Sequence, residues 1–128
     1  MMKFKPKILV PYDGSKHADK AIDTAISLAE QFKGTITVLH VPWKESDIES
    51  HRLLMNAVDK LQNTYLDFNT RSERSEQIST KITQIQKEEG YDIIVMGSRG
   101  HGVGKAWILG SVSRQVLEEA SCPVLVVK

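Results

Sequence analysis

Residues 92–120 constrain this chain more than any other stretch. They read DIIVMG, then SRGHGVGKAWILG, then SVSRQVLEEA. Ile93 to Met96 form a short apolar run of the kind that a strand buried on both faces needs, as in a parallel sheet. Gly97 ends the run, and Gly100, Gly102, Gly104 and Gly110 follow it. Glycines at such places let a backbone turn with positive φ or let a ligand approach the amides closely. Beyond Gly110 the spacing becomes helical, with Val112, Val116, Leu117 and Ala120 on one face and Ser111 or Ser113 placed to cap the start. A strand, a glycine loop and a helix in this order aim the free N–H groups and dipole of the helix start back at the loop. That is a site prepared for an anion, phosphate above all. The spacing Gly97-x2-Gly100-x9-Gly110-Ser111 is not a Walker A loop, because no Gly-Lys-Ser/Thr follows the last glycine. Nor does the first strand-to-helix turn carry the Gly-x-Gly-x-x-Gly dinucleotide pattern. The alternative reading of the stretch is a flexible surface loop without a ligand.

The rest of the chain supplies the matching scaffold. Lys7 to Tyr12 (KILVPY) is a first strand whose Ile8-Leu9-Val10 run again expects burial on both faces. After Asp13-Gly14, Ser15 is a good N-cap, and Ala18, Ala21, Ile22, Ala25, Ile26, Ala29 and Phe32 fall at helical spacing up to Gly34. Thr35 to Val41 is β-branched and strand-like, and Pro42 stops it. Strand, helix and strand within about 35 residues make a parallel βαβ unit. Ser46 to Leu61 is a second helix, with Leu54, Val58 and Leu61 on one stripe. Tyr65 to Arg71 reads as an edge strand. Ser75 to Glu89 is a third helix ending at Gly90, and the RSERSE run before it reads as a solvated approach to that helix. Pro123 to Lys128 closes the chain as a strand. The alternation throughout predicts one doubly wound α/β domain over residues 1–128.

Composition removes several function classes. The 128 residues are 41% hydrophobic and 26% charged, with a net charge of +1. A protein gripping nucleic acid through phosphate contacts is expected to be more basic, so no nucleic-acid partner is expected. Cys122 is the single cysteine, which excludes an internal disulfide or a cysteine-based zinc site, and fits a reducing cytoplasm. It reads as a small buried apolar residue rather than a redox group. The apolar run near the start is too short for a signal peptide, and no stretch is long enough for a membrane span. His17, His40, His51 and His101 lack metal-ligand spacing. His40 reads as a strand histidine with a hydrogen-bonded polar edge, and Trp43 and Trp107 as loop residues packing on the domain.

In open α/β sheets a ligand binds at the carboxyl ends of the strands where the strand order reverses. The first and fourth strands are the natural pair to flank that crevice. Asp13 follows the first and Gly97 ends the fourth, so a carboxylate and a phosphate-type loop meet there, with the chain after His40 and Val41 alongside.

These residues resemble the universal stress protein family, specifically its ATP-binding branch. The resemblance runs through KILVPYDGS, TITVLHV, DIIVMGSRGHG, the Gly-x2-Gly-x9-Gly-Ser spacing, GSVSRQVL and CPVLVVK, nearly the whole chain. It implies a Rossmann-like, five-stranded parallel sheet of order 3-2-1-4-5 with helices on both faces. It also implies that Pro11, Asp13 and Val41 lie around adenine and ribose, with Asp13 near the ribose and, through the nucleotide, near magnesium or manganese. Gly97 and Gly100 would line the ribose and phosphate path, while Gly110, Ser111 and Val112 would present amides and a hydroxyl to the phosphates. Arg99, His101 and Lys105 would add charge. The closing strand would pair with its twin in a homodimer. The chain departs from the common pattern in a short region from Trp43 to Arg74 and in RSERSE. Three functions follow from the resemblance. One is a cytoplasmic, dimeric regulatory switch in which bound ATP orders Ser98 to Leu109 and alters the surface shown to an unidentified protein partner. A second is a dimeric interaction module working without nucleotide. The third is an enzyme, a slow ATP hydrolase or nucleotidyl transferase, for which Asp13 with a metal would give weak hydrolysis but the motifs position no evident general base or arginine clamp, so no catalytic residue is assigned.

Overall fold

The computed structural model describes residues 5–99 and 109–128. Its elements alternate as β1 (Lys7–Pro11), α1 (Lys16–Phe32), β2 (Thr35–His40), α2 (Asp47–Leu61), β3 (Phe68–Ser72), α3 (Ile78–Glu89), β4 (Ile93–Gly97), α4 (Ser111–Glu119) and β5 (Val124–Val127). The five strands form one sheet in the order β3-β2-β1-β4-β5, and every pairing is parallel. The order reverses between β1 and β4, as the sequence predicts.

Registers explain why the apolar runs are continuous rather than alternating. Ile8 lies between Ile36 and Ile93, and Leu9 between Thr37 and Ile94. Because side chains alternate in direction along a strand, the run has to satisfy two cores at once. Ile8, Val10, Ile36, Val38 and Val95 pack with Ala21, Ile22, Ala25 and Ala29 of α1 and Leu54, Ala57 and Leu61 of α2. Leu9, Leu39, Ile94 and Met96 pack on the other side with Ile82 and Ile85 of α3 and Val116 of α4. The alanine stripe of α1 lets that helix lie close to the sheet, and Ala21, Ala25 and Ala29 are wholly buried.

Local chemistry sets most helix ends. The Ser15 hydroxyl accepts the Ala18 N–H at 3.1 Å and starts α1. Ser46 and Glu49 form a reciprocal capping box at α2. At the end of α1 the sequence places the stop at Gly34, but Lys33 takes the left-handed turn, with φ 58°. Gly34 serves packing instead, since a Cβ there would lie 2.5 Å from the Pro6 carbonyl oxygen. The third strand begins three residues later than expected: Tyr65 is fully exposed, and the Thr64 hydroxyl and amide bond back to Leu61 in the turn that leaves α2. Its edge position is as expected.

RSERSE is also more than a solvated approach. Arg71 pairs with Glu73 and Glu89. Arg74 donates to the carbonyls of Trp43 and Glu45 and to Asp47, tying the β2–α2 loop to the segment before α3. Helix α3 accordingly starts at Ile78 rather than Ser75, with no side chain capping it. In α4 the expected apolar face is narrower than the spacing suggests. Val116 is buried, whereas Leu117 is 42% exposed.

A crevice at the carboxyl ends of β1 and β4

A cavity of about 280 Å³ opens at the carboxyl ends of β1, β2 and β4. Pro11, Asp13, Val41, Gly97, Arg99, Gly110, Ser111 and Val112 all line it. Those are the expected site residues that fall within the described part of the chain; Gly100 and His101 lie outside it, as do Lys105 and Trp107. Residues separated by about a hundred positions thus meet because β1 and β4 are neighbours.

One wall is apolar and comes from Leu39, Val41, Ile78, Ile82 and Met96, a surface suited to a flat ring. Asp13 stands at the mouth, where its carboxylate accepts the Ser15 N–H at 2.9 Å. Gly14, with φ 80°, makes the turn that carries the chain from Asp13 to the α1 cap. Tyr12, which precedes them, points its hydroxyl at Asp19 and donates at 2.6 Å. Burial, then that hydrogen bond and the nearby Asp13 charge, push the phenol's pKa up, so Tyr12 acts as a donor and not as an anion.

The start of α4 also lines the cavity, through Ser111, Val112 and Ser113. Its N-cap is Gly110, in extended conformation and with no side chain capping the helix. The expectation that Ser111 or Ser113 caps is therefore corrected. Ser111 is already the first helical residue and exposed. The buried Ser113 hydroxyl donates to the Ser98 carbonyl at 2.8 Å and to the Gly110 carbonyl at 3.2 Å. The first-turn amides are thus left to the crevice, where the dipole favours an anion.

Two glycines of the motif differ in what they do. A Cβ on Gly97 would lie 2.8 Å from the carbonyl carbon and Cβ of His17, so this glycine lets α1 lie against β4. At Gly110 the nearest atom to a Cβ among the described residues would be the Arg99 Cα at 3.5 Å, and φ is −68°. Among the described residues neither crowding nor backbone conformation requires a glycine there.

Ser98 joins the parts of the site. Its amide donates to the Val127 carbonyl at 2.7 Å and its carbonyl accepts from the Gly110 amide at 2.8 Å. Its hydroxyl meets the His17 Nδ1 at 2.8 Å, and the His17 Nε2 meets the Arg99 guanidinium at 3.1 Å. His17 was set aside in the sequence because it has no metal-ligand spacing, and it is a residue that sequence reasoning missed. Its signal, a histidine on the first turn of a helix next to a glycine-ended strand, exists only once β1 and β4 are adjacent.

His40 behaves as a strand histidine should. It is 2% exposed, and its Nδ1 meets the Tyr12 carbonyl at 2.9 Å. A carbonyl only accepts, so Nδ1 carries the proton. The Nε2 lies 3.7 Å from the Glu45 carboxylate. Burial pushes the Glu45 carboxyl up, but the N–H groups of its own residue, Trp43 and Lys44, with the His40 ring, outweigh that and hold it below its ordinary value. Glu45 thus holds the β2–α2 loop over the crevice wall. Trp43, in that loop, is 48% exposed rather than packed away. Cys122 is half-buried rather than enclosed, packing beside the α3/α4 core, and burial pushes its thiol pKa up. Among the described residues no three His, Cys, Asp or Glu side chains cluster to hold a metal ion, and no helix is long and apolar enough to cross a membrane.

The sequence model of the universal stress protein family matches residues 6–128. The universal stress protein YxiE of Bacillus subtilis is 31% identical over 146 residues, spanning 95% of this chain and 98% of that protein. Among solved structures, the universal stress protein UspA from Lactobacillus plantarum superposes with a TM-score of 0.88 over the full length of both chains at 22% identity. A universal stress protein from Archaeoglobus fulgidus, solved in complex with dAMP, superposes with a TM-score of 0.77 over 99% of this chain and 100% of that one, at 24% identity.

Proposed function

The chain belongs to the universal stress protein family, and on that premise we propose that it binds ATP in the β1/β4 crevice and serves as a dimeric regulatory switch in a stress response. One observation carries the reading. Eight residues expected from the sequence to surround a nucleotide line a single cavity, which also holds apolar side chains and a helix start that no side chain caps. The apolar wall of Leu39, Val41, Ile78, Ile82 and Met96 takes the base. Pro11 and Asp13 lie beside the ribose, and the amides of Ser111 and Val112, the Ser111 hydroxyl and Arg99 take the phosphates. The related structure with dAMP supports an adenine nucleotide as the ligand class.

Magnesium fits this arrangement only as a partner of the phosphates. Asp13 and Glu45 are the carboxylates lining the crevice among the described residues, and Glu45 is engaged by backbone amides. Asp13, which also accepts the Ser15 N–H, is the carboxylate after β1 that would approach a nucleotide-bound ion, which suits a cation that keeps most of its waters and phosphate oxygens. The ion would neutralise phosphate charge there.

The same chain offers a seam for self-association. In the order β3-β2-β1-β4-β5 the edge strands are β3 and β5, and β3 carries Asn69, Thr70 and Arg71, which blunt edge pairing. The β5 edge, VLVV, carries only apolar side chains, and Leu125 is 38% exposed. We assign the homodimer seam to residues 123–128, with nucleotide occupancy read by a protein partner.

Isothermal titration of magnesium and ATP into the wild type and Gly110→Ala tests the reading. Among the described residues a methyl at position 110 meets no atom closer than 3.5 Å, so the variant is expected to fold, with the methyl beside the amides offered to the phosphates. Micromolar binding weakened at least about tenfold by the methyl group is expected. A folded wild type that binds no adenine nucleotide would refute the proposal and favour the nucleotide-independent interaction module.

A further inference from the structure

We propose that His17 is a positioning residue for Arg99, and that proton uptake by His17 tightens the hold on the nucleotide's phosphates. The inference rests on the nucleotide reading above and adds the regulation of that site. It comes from the hydrogen-bond chain Ser98–His17–Arg99, whose ends lie 81 and 82 positions from His17 in sequence.

The donors and acceptors in this chain leave one assignment. A guanidinium only donates, so the His17 Nε2 that meets Arg99 at 3.1 Å is the unprotonated, accepting nitrogen. The proton of the neutral ring therefore sits on Nδ1 and is given to the Ser98 hydroxyl at 2.8 Å. His17 cannot slide away from this position. Gly97 packs against its backbone at a distance that excludes even a Cβ, and Ser98 is held by β5 and by the start of α4. The ring is thus a fixed bracket, and Arg99, which lines the crevice while His17 does not, is docked on it.

Protonation changes the bracket into a repeller. A proton from solvent on Nε2 removes the lone pair that accepts from Arg99 and sets two cations within hydrogen-bond distance. The guanidinium then gains by turning to an anion in the crevice, and the imidazolium adds a second positive charge behind it. Histidine is the side chain whose charge changes across the physiological range. Proton and phosphate binding are reciprocal by linkage, so each tightens the other.

Charged and titratable groups also stand on the elements that meet at His17. Arg99 comes from the end of β4. Lys16, Asp19 and Lys20 are its neighbours on α1, and Asp13 lies in the turn before that helix. Lys128 follows Val127, whose carbonyl holds Ser98 on β5. The tyrosine hydroxyl of Tyr12 is occupied by Asp19.

The test is titration of ATP into the wild type and His17→Gln from about pH 8 to about pH 6, the range over which histidine changes charge. Glutamine keeps an acceptor for Arg99 but does not titrate, so the ligand's own phosphate titration cancels in the comparison. Wild-type affinity is expected to rise about tenfold more than that of the variant across this range, the gain from one unit of linked proton affinity. Repeating the pair in an Arg99→Gln background should shrink that difference. Parallel pH profiles in wild type and His17→Gln overturn the inference while leaving nucleotide binding intact. An undiminished difference without Arg99 overturns the positioning role. No binding by a folded wild type at any pH removes the parent reading and this one together.

Discussion

Gly97→Ala and Gly110→Ala add the same methyl group to two glycines of one motif, and the structure predicts opposite consequences. At position 97 the new Cβ would lie 2.8 Å from two atoms of His17 and 3.0 Å from the Ala18 amide nitrogen. Most of these are backbone atoms of the α1 start and cannot rotate away. To restore contact, the helix start must lift off β4, which disturbs Ala18 and Ser15, both at least 95% buried. Overpacking of a tight core costs about 1–3 kcal/mol, and because rigid backbone is involved the upper end, about 3 kcal/mol, is expected. For a chain of this length that lowers the melting temperature by roughly 10 °C. At position 110 the nearest atom among the described residues is at 3.5 Å and φ is −68°, so the expected cost is alanine's weaker N-capping, about 1 kcal/mol or less. Urea unfolding followed by far-ultraviolet circular dichroism measures both, with an unchanged m-value confirming a change in stability. Titration of ATP on the same samples completes the comparison, with Gly110→Ala the variant that stays folded and binds poorly. Equal losses of stability in the two variants, or a Gly97→Ala loss below about 1 kcal/mol, would refute the view that α1 packing explains Gly97.

Glu45→Gln tests the loop latch through its pH dependence. The folded protein holds this carboxyl below its ordinary value, so its contribution is complete above the ordinary glutamate range and is lost as pH falls through the depressed value. Acid should therefore reduce the stability of the wild type more steeply than that of Glu45→Gln, and identical slopes in urea unfolding across the acid range would contradict the assignment. Leu125→Glu places a charge on the apolar β5 edge and should give monomers in sedimentation equilibrium under conditions where the wild type is dimeric. A dimeric Leu125→Glu would move the seam away from β5.

The sequence legible by itself included almost everything that depends on near neighbours along the chain. The apolar runs of β1 and β4, the β-branched β2, the Ser15 cap and the alanine-rich face of α1 are all short-range signals, and each element appears where those signals put it. The alternation of strands and helices determined the doubly wound class, and glycine spacing with Asp13, joined by the family resemblance that brought in Pro11 and Val41, pointed to the residues that line the crevice. What failed was local competition that spacing cannot express. Ser113 was open to capping α4 or to bonding elsewhere, and the Ser98 carbonyl, delivered by β4, took its hydroxyl. Arg74 was open to solvent, and the carbonyls of the β2–α2 loop took its guanidinium.

Only the tertiary structure decided the meaning of individual residues at the site. Gly97 and Gly110 are the same residue in the same motif, yet one is required by the helix laid against it and the other is not. His17 was one of four unremarkable histidines until the β1–β4 pairing set it between Ser98 and Arg99. The physical reason is the same in each case. Backbone propensity is settled by neighbours along the chain, whereas the partner of a polar or absent side chain is settled by what the sheet order brings within three ångströms or so, and in a parallel sheet that partner arrives from a distant part of the sequence.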